Sequence, residues 1–412
     1  MNLKKWKCGL FSLLLMLEVV IGNTIESKAA KRENIDLYAR AAVLMDGDSG
    51  RVLYGKEEDL VLPMASTTKI MTCILALEKG DMNEQVTVSS YAVSMPKVHL
   101  GMKMGETYRL EDLLYSLMLE SHNDAAVAIA EAIAGDVPHF AEMMNEKAKE
   151  IGCNHTTFIT PNGLDASVKT KEGEKNHSTT ASDLAKIMRY CVMKSPKREE
   201  FLRITQTPEK TFSNVEQTRT FHCVNHNAFL QMMEGMISGK TGFTGNAGYC
   251  YVGALERDGK TFIVSLLACG WPNHKTYKWK DTRKLMEYGL SHYDYQIFKP
   301  DFSLEPVLVR EGLSEDGNPY KERKTNACCD INRKSFRLLV RDGEKVSVQT
   351  HYEKEVDAPV ENGKRIGQMR LLLEDYGGRK YEIVRGDICL EDSVDRLNYS
   401  HYFLYIVKKY VG

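Results

Sequence analysis

The sequence lacks a charge bias: 55 Lys and Arg against 56 Asp and Glu leave a formal charge of -1, so the basic footprint of a nucleic-acid binder is missing. No nucleic-acid partner is expected. It also lacks an uninterrupted apolar run of the ~20 residues that a membrane helix needs. The N-terminal stretch Leu10 to Ile21 is broken by Ser12 and Glu18, preceded by Lys4, Lys5 and Lys7, and followed by Ser27-Lys28-Ala29-Ala30. That order of charged, apolar and small residues reads as a cleaved export signal over residues 1–29. The mature chain is therefore expected to work outside the cytoplasm, secreted or bound to the outer face of the membrane.

A disulfide framework is missing too. Of 10 cysteines, Cys8 leaves with the signal, and the others are odd in number and scattered, with Cys328 and Cys329 adjacent. Cys250 and Cys269 flank one hairpin and are candidates to lie near each other; free, partly buried thiols are expected for most of the rest. Metal ligands are equally sparse. His222 and His226 are four apart and would share a helical face, but no carboxylate or third ligand at metal spacing accompanies them, so neither metal nor cofactor is expected.

What is present is a globular composition, 43% hydrophobic over 412 residues, enough chain for two or three domains at about 100–200 residues each. Ala41 to Met45 and Arg51 to Tyr54 flank Asp46-Gly47-Asp48-Ser49-Gly50, a hairpin signal. Behind Pro63, Ile70, Cys73, Ile74 and Leu77 recur at helical spacing. Leu110 to Met118, Ala125 to Ala134, Phe140 to Ile151 and Thr180 to Val192 continue a helical middle, interrupted by the turn Thr160-Pro161-Asn162-Gly163-Leu164-Asp165. Gly248 to Leu267 then reads as two strands around Asp258-Gly259. Strands at both ends of a helical middle predict one antiparallel sheet with helices packed on it.

After about Pro300 the pattern is all β: Phe336 to Val340, Val346 to Tyr352, Arg365 to Leu373 and Tyr381 to Val384, separated by Asp-Gly, Asn-Gly and Gly-Gly turns. The predicted division is a catalytic domain over 38–296, a β-rich domain over 297–393 and a terminal segment over 394–412. In that segment Tyr399, Tyr402, Phe403, Ile406, Val407 and Tyr410 fall on one helical face beside Lys408 and Lys409. Two readings stay open: an amphipathic helix on a membrane surface, or a closing element of the β domain.

Three short motifs carry chemistry. Ser66-Thr67-Thr68-Lys69 places a hydroxyl and an amine three residues apart at a helix start, where both share a face. Such a pair arises by chance about once or twice in a chain this long, and Ser94-Met95-Pro96-Lys97 repeats it. Lys69 can act as a base only if burial and a second cation disfavour its ammonium form. Lys240-Thr241-Gly242 supplies the cation, a hydroxyl and a glycine that admits a substrate backbone; Ser121-His122-Asn123 supplies a further hydroxyl and an amide. Each of these last two occurs once in the chain.

In this order the motifs resemble those of the penicillin-recognising serine acyltransferases. More closely, the chain resembles the low-molecular-mass penicillin-binding proteins that are D-alanyl-D-alanine carboxypeptidases, peptidase family S11. The likeness runs through AAVLMDGDSGRVLYGK, PMASTTKIMT, SHNDAAVAIAE, TPNGLDA and GKTGFTGNAGYCYVGA to about His292. It implies an α+β, β-lactamase/transpeptidase-like catalytic domain followed by a small all-β domain. It further implies Ser66 as acyl-ester nucleophile, Lys69 as general base, Ser121 as proton relay and Asn123 as a ligand of the substrate amide. Lys240 and Thr241 would hold the terminal carboxylate, with the backbone N–H groups of Ser66 and Phe243, beside Gly242, as oxyanion hole. Peptidoglycan stem peptides ending in D-Ala-D-Ala would be the substrate, and β-lactams acylating inhibitors. His122 and Phe243 depart from the commonest family residues without removing a catalytic group. The alternatives are a class A-like β-lactamase, for which no Glu-x-x-Leu-Asn stretch is found between Ser121 and Lys240, a transpeptidase, or a catalytically weak penicillin-binding wall sensor.

Overall fold

The computed structural model describes residues 35–171 and 173–410; the expected export signal and Cys8 lie outside them. The chain forms two compact units: Ile35–Gln296 with Leu339–Asp342, and Ile297–Leu338 with the residues from Gly343 onward.

The first unit is built on a five-stranded antiparallel sheet in the order Val52–Lys56, Ala41–Asp46, Lys260–Leu267, Gly248–Arg257, Met236–Thr244. Ala41 pairs with Leu267 and Val252 with Lys240, so the N-terminal hairpin and the late strands close one sheet. Its strands alternate between two cores, as the two-residue period of a strand requires. Ala41, Val43, Met45, Val252 and Ile263 face the helical middle. Ala42, Leu44, Tyr251, Phe262, Val264 and Leu266 face the helix Tyr277–His292. With both faces covered, all eight residues of Lys260–Leu267 are buried. Phe262 is fully buried, and truncating such a ring to alanine costs about 3–5 kcal/mol.

The helix Lys69–Lys79 has nine buried residues and lies inside the helical middle instead of on its surface; it stops at Gly80, whose N–H bonds Ala76 O. A helix apolar on every side must be central. Asn123–Ala134, alanine-rich, packs closely on it. Thr180 caps Ala181–Arg189 by accepting from the Asp183 N–H. The helices Arg198–Gln206 and Tyr277–His292 and the hairpin Glu209–Ser213 with Thr220–Val224 are additions to the sequence-based expectation.

In the second unit, Val307–Arg310 pairs with Arg323–Thr325 and Glu355–Asp357. A four-stranded sheet runs Ala327–Cys329, Lys380–Leu390, Arg365–Glu374, Lys345–Tyr352. Val307, Val309, Val356, Met369, Ile388 and Leu390 form its core. The terminal segment is a helix, Tyr399–Tyr410, with no buried residue. Among the described residues no helix is long and apolar enough to cross a membrane.

Candidate active site

Ser66 sits in a 3-10 turn, Ala65–Thr68, that leads straight into the helix Lys69–Lys79. Side chains of the turn pin it from within: Thr67 Oγ1 donates to Met64 O and Thr68 Oγ1 to Ala65 O. Lys69 is fully buried. Its Nζ lies 3.0 Å from Ser66 Oγ, 2.8 Å from Asn123 Oδ1 and 2.8 Å from Asn162 O. All three partners are neutral. Burial pushes the Lys69 amine well below the usual lysine range, and the Lys240 charge pushes the same way, against a smaller pull from Asp124. A neutral amine held here keeps a lone pair for the Ser66 proton.

Ser121 is the left-handed residue, φ +69°, between the π-helical turn Ser116–Glu120 and the helix Asn123–Ala134. A non-glycine residue held there costs about 1–2 kcal/mol, and backbone strain of this kind collects at functional sites. The same reversal turns Ser121 Oγ toward Lys240, whose Nζ donates to it at 3.0 Å and to Thr241 O at 3.0 Å. Burial lowers Lys240 to about 7. Asn123 is held at both ends of its amide, since Nδ2 donates to Pro96 O at 3.1 Å. Next to it, the buried Asp124 carboxylate accepts from the N–H groups of Leu100, Gly101 and Met102, fixing the loop that forms one wall.

Two glycines allow the close approach. A Cβ on Gly242 would lie 2.9 Å from Ser66 N and 3.0 Å from Thr67 N, so the strand passes over the serine turn with only a hydrogen's clearance. Gly163 has φ +85°, and a Cβ there would stand 2.0 Å from Ala65 O. Thr241, Gly242 and Phe243 line, with Ser66, Ser121 and Asn123, a cleft of about 360 Å³. A larger depression, about 730 Å³, lies on the second unit between Gln349–Glu353 and Arg365–Arg370. It holds no serine or cysteine nucleophile, so the smaller cleft is the candidate site.

Several contributors escaped sequence reasoning. Asn162 acts through its backbone carbonyl, which no side-chain pattern can reveal. His177 is buried between the serine turn and the Asn162 loop: Nε2 lies 2.8 Å from Thr68 Oγ1, and Nδ1 accepts from the N–H groups of Ile159 and Thr160. Because Thr68 Oγ1 already donates to Ala65 O, the imidazole must be neutral with its proton on Nε2. Burial lowers its pKa to about 4. Asp165 ties the same loop to the strand end through Thr244 and Asn246. Lys278 lines the cleft with its ammonium 4.7 Å from the Tyr249 ring centre and 4.6 Å from that of Trp279. Burial lowers it to about 8.

The histidine pair does not share a helical face. His222 lies on the strand Thr220–Val224, not a helix, and its ring contacts Thr211 and Glu209. His226 instead meets Glu120 at 2.6 Å beside the cleft. Strand pairing with Glu209–Ser213 separates the two rings that helical spacing would have stacked. Cys250 and Cys269 are both buried free thiols, and Cys269 Sγ donates to Asp281.

A family model described as D-alanyl-D-alanine carboxypeptidase matches residues 26–268. The D-alanyl-D-alanine carboxypeptidase DacF of Bacillus subtilis is 29% identical over 342 residues, 81% of this chain and 81% of its own length. DacB2 of Mycobacterium tuberculosis, a D-alanyl-D-alanine carboxypeptidase, is 32% identical over 259 residues, 61% of this chain and 82% of its own. Among solved structures, penicillin-binding protein D2 of Listeria monocytogenes in its cefotaxime-bound form superposes with a TM-score of 0.54 at 30% identity, covering 63% of this chain and 100% of that one. The carboxypeptidase DacD of Francisella tularensis gives 0.65 over 88% of this chain and 95% of its own, at 22% identity, a likeness of fold.

Proposed function

Since the chain belongs to peptidase family S11, the D-alanyl-D-alanine carboxypeptidases, we propose that Ser66 is its acyl-ester nucleophile and Lys69 the base that activates it. The carboxypeptidase removes the terminal D-alanine of a peptidoglycan stem peptide. Lys69 takes the Ser66 proton as Oγ attacks the carbonyl of the D-Ala-D-Ala bond, and the backbone N–H groups of Ser66 and Phe243 receive the oxyanion. Ser121, hydrogen-bonded to Lys240, relays the proton to the leaving amine, so D-alanine departs as an amine and not as an amide anion. Asn123 orients the substrate amide. Thr241 and the cations Lys240 and Lys278 hold the terminal carboxylate. Water then cleaves the ester by the reverse use of Lys69.

The observation that supports this most is the Lys69 amine: buried, 3.0 Å from Ser66 Oγ, bonded only to neutral groups and depressed by burial and by Lys240. Glu120 is the carboxylate among the described residues lining the cleft. Burial raises its pKa, but hydrogen bonds from Val224 N–H and His226 outweigh that and leave it low. It is therefore a weak base for the rapid deacylation a β-lactamase needs, and a β-lactam acyl-enzyme should persist. We further infer that the enzyme acts outside the cytoplasm. The helix Tyr399–Tyr410, with Tyr399, Phe403, Leu404, Ile406 and Tyr410 exposed beside Lys408 and Lys409, would rest on the membrane surface.

A labelled penicillin should attach covalently to Ser66, and Ser66→Ala should abolish both labelling and D-alanine release from a diacylated Lys-D-Ala-D-Ala peptide. Release by the alanine variant would defeat the assignment of Ser66; fast turnover of the penicillin would instead favour a β-lactamase.

A further inference from the structure

The nine cysteines among the described residues divide by exposure. Cys73, Cys153, Cys191, Cys223, Cys250 and Cys269 are buried in the Ser66 unit, and burial raises each thiol. Such groups are inert toward exchange. Cys328, Cys329 and Cys389 belong to the other unit and lie at or near its surface.

Their arrangement is set by strand register. Ala327–Cys329 is an edge strand of the four-stranded sheet and pairs antiparallel with Lys380–Leu390, with Cys328 directly opposite Cys389. Directly opposed side chains project from one face. That face is the outer one: Ile388 and Leu390, on either side of Cys389, belong to the core, so alternation turns Cys389 outward. Cys329 takes the inner face. It packs on the core beside Ile331, and a Cβ on Gly386 would lie 2.9 Å from its Sγ. Of the cross-strand pairings open to the three thiols, only Cys328 with Cys389 joins two sulfurs on the same side.

The spacing suits a bond that is closed with some strain. Asp330 N–H donates to Asp387 O and Glu391 N–H to Asn326 O, each at 2.9 Å. Hydrogen-bonded pairs recur every second residue, so Cys328 and Cys389 form one, with Cα atoms about 5.5 Å apart. That lies within the usual disulfide range of about 4.4–6.8 Å, but Cβ atoms of such pairs stand wider than the ~3.8 Å a disulfide prefers. The three-residue edge strand must move slightly inward. Strained, exposed disulfides are the readily reduced ones.

We propose that Cys328 and Cys389 form a reversible cross-strand disulfide, a redox-sensitive clasp on the edge of the second unit. The oxidant is a small-molecule disulfide of the glutathione class. One protein thiolate attacks it, forming a mixed disulfide and releasing one thiol; the second protein thiolate then attacks the protein sulfur and releases the other. Two protein thiols lose two electrons and two protons, and the oxidant disulfide gains them as two thiols. The clasp ties the three-residue edge strand Ala327–Cys329 covalently to Lys380–Leu390, its only sheet neighbour among the described residues.

The test uses the full chain, incubated with glutathione disulfide, denatured in N-ethylmaleimide, digested with trypsin and weighed. The expected product links the peptide 325–333, carrying one N-ethylmaleimide on Cys329, to the peptide 386–396, about 2 Da below the sum of that singly alkylated peptide and its reduced partner. It should vanish in Cys328→Ser and Cys389→Ser, survive in Cys329→Ser, and be reversed by dithiothreitol. Full alkylation of Cys328 and Cys389 after oxidation would overturn the proposal. So would separate glutathione adducts that never close, or a link that survives Cys328→Ser.

Discussion

His177 should make folding sensitive to mild acid. Its folded pKa is about 4, lowered by burial from 6.5. Protonation places a hydrogen on Nδ1, which accepts from the Ile159 and Thr160 N–H groups. The unfolded chain therefore binds more protons than the folded one between those two values, and stability falls as pH drops through that window. The contribution is fully present above about 6.5 and gone below about 4. The whole shift of about 2.5 units corresponds to about 3 kcal/mol, and about 2 kcal/mol is already lost at pH 5. Urea unfolding of the native protein and of His177→Phe, each at pH 7.5 and pH 5.0, isolates this amount, because every other titrating group is common to both. At pH 7.5 the variant should be weaker, since two backbone donors lose their acceptor, at about 1–3 kcal/mol each. Between pH 7.5 and 5.0 the native protein should lose about 2 kcal/mol more than the variant. Equal losses would refute the premise that His177 is held neutral between the Ser66 turn and the Asn162 loop.

Lys240→Met removes the charge that disfavours the Lys69 ammonium and the donor to Ser121. Penicillin acylation should fall by about a hundredfold or more, and the rise of rate with pH should move to higher pH because Lys69 then keeps its proton longer. An unchanged pH profile would exclude Lys240 from that role. Gly242→Ala inserts a methyl 2.9 Å from Ser66 N; acylation should drop about tenfold or more, and the forced shift of strand or serine turn should cost about 1–3 kcal/mol by urea unfolding. Thr180→Ala removes the cap that accepts from Asp183 N–H, and should cost about 1 kcal/mol by urea unfolding with D-alanine release per folded molecule unchanged.

The sheet was legible because alternation and turn residues are local signals: Asp258-Gly259 and the apolar strands around it are read within twenty residues. The helices Arg198–Gln206 and Tyr277–His292 were not, because their exposed faces carry Arg, Lys and Glu densely enough to hide a narrow apolar stripe. His222 and His226 are kept off a common face for a related reason. A four-residue spacing reports proximity only if the segment is helical, and the hairpin with Glu209–Ser213 makes it a strand. His177 and Thr68, 109 residues apart, form a contact for which no periodicity exists.

The serine motif shows where local spacing stops being informative. Ser94 and Lys97 repeat the separation of Ser66 and Lys69, yet both are exposed, and the Ser94 hydroxyl is spent on Tyr91 O. Lys69 differs through groups distant in sequence: the Asn123 amide from 54 residues on, the Asn162 carbonyl from 93, and the Lys240 charge from the far strand of the sheet. Spacing puts the amine within reach of the hydroxyl, whereas burial and a second cation decide whether it can take the proton. Those two conditions are properties of the closed sheet and its loops. For that reason Lys240→Met, made on the far strand, is expected to change the chemistry of a serine it does not touch.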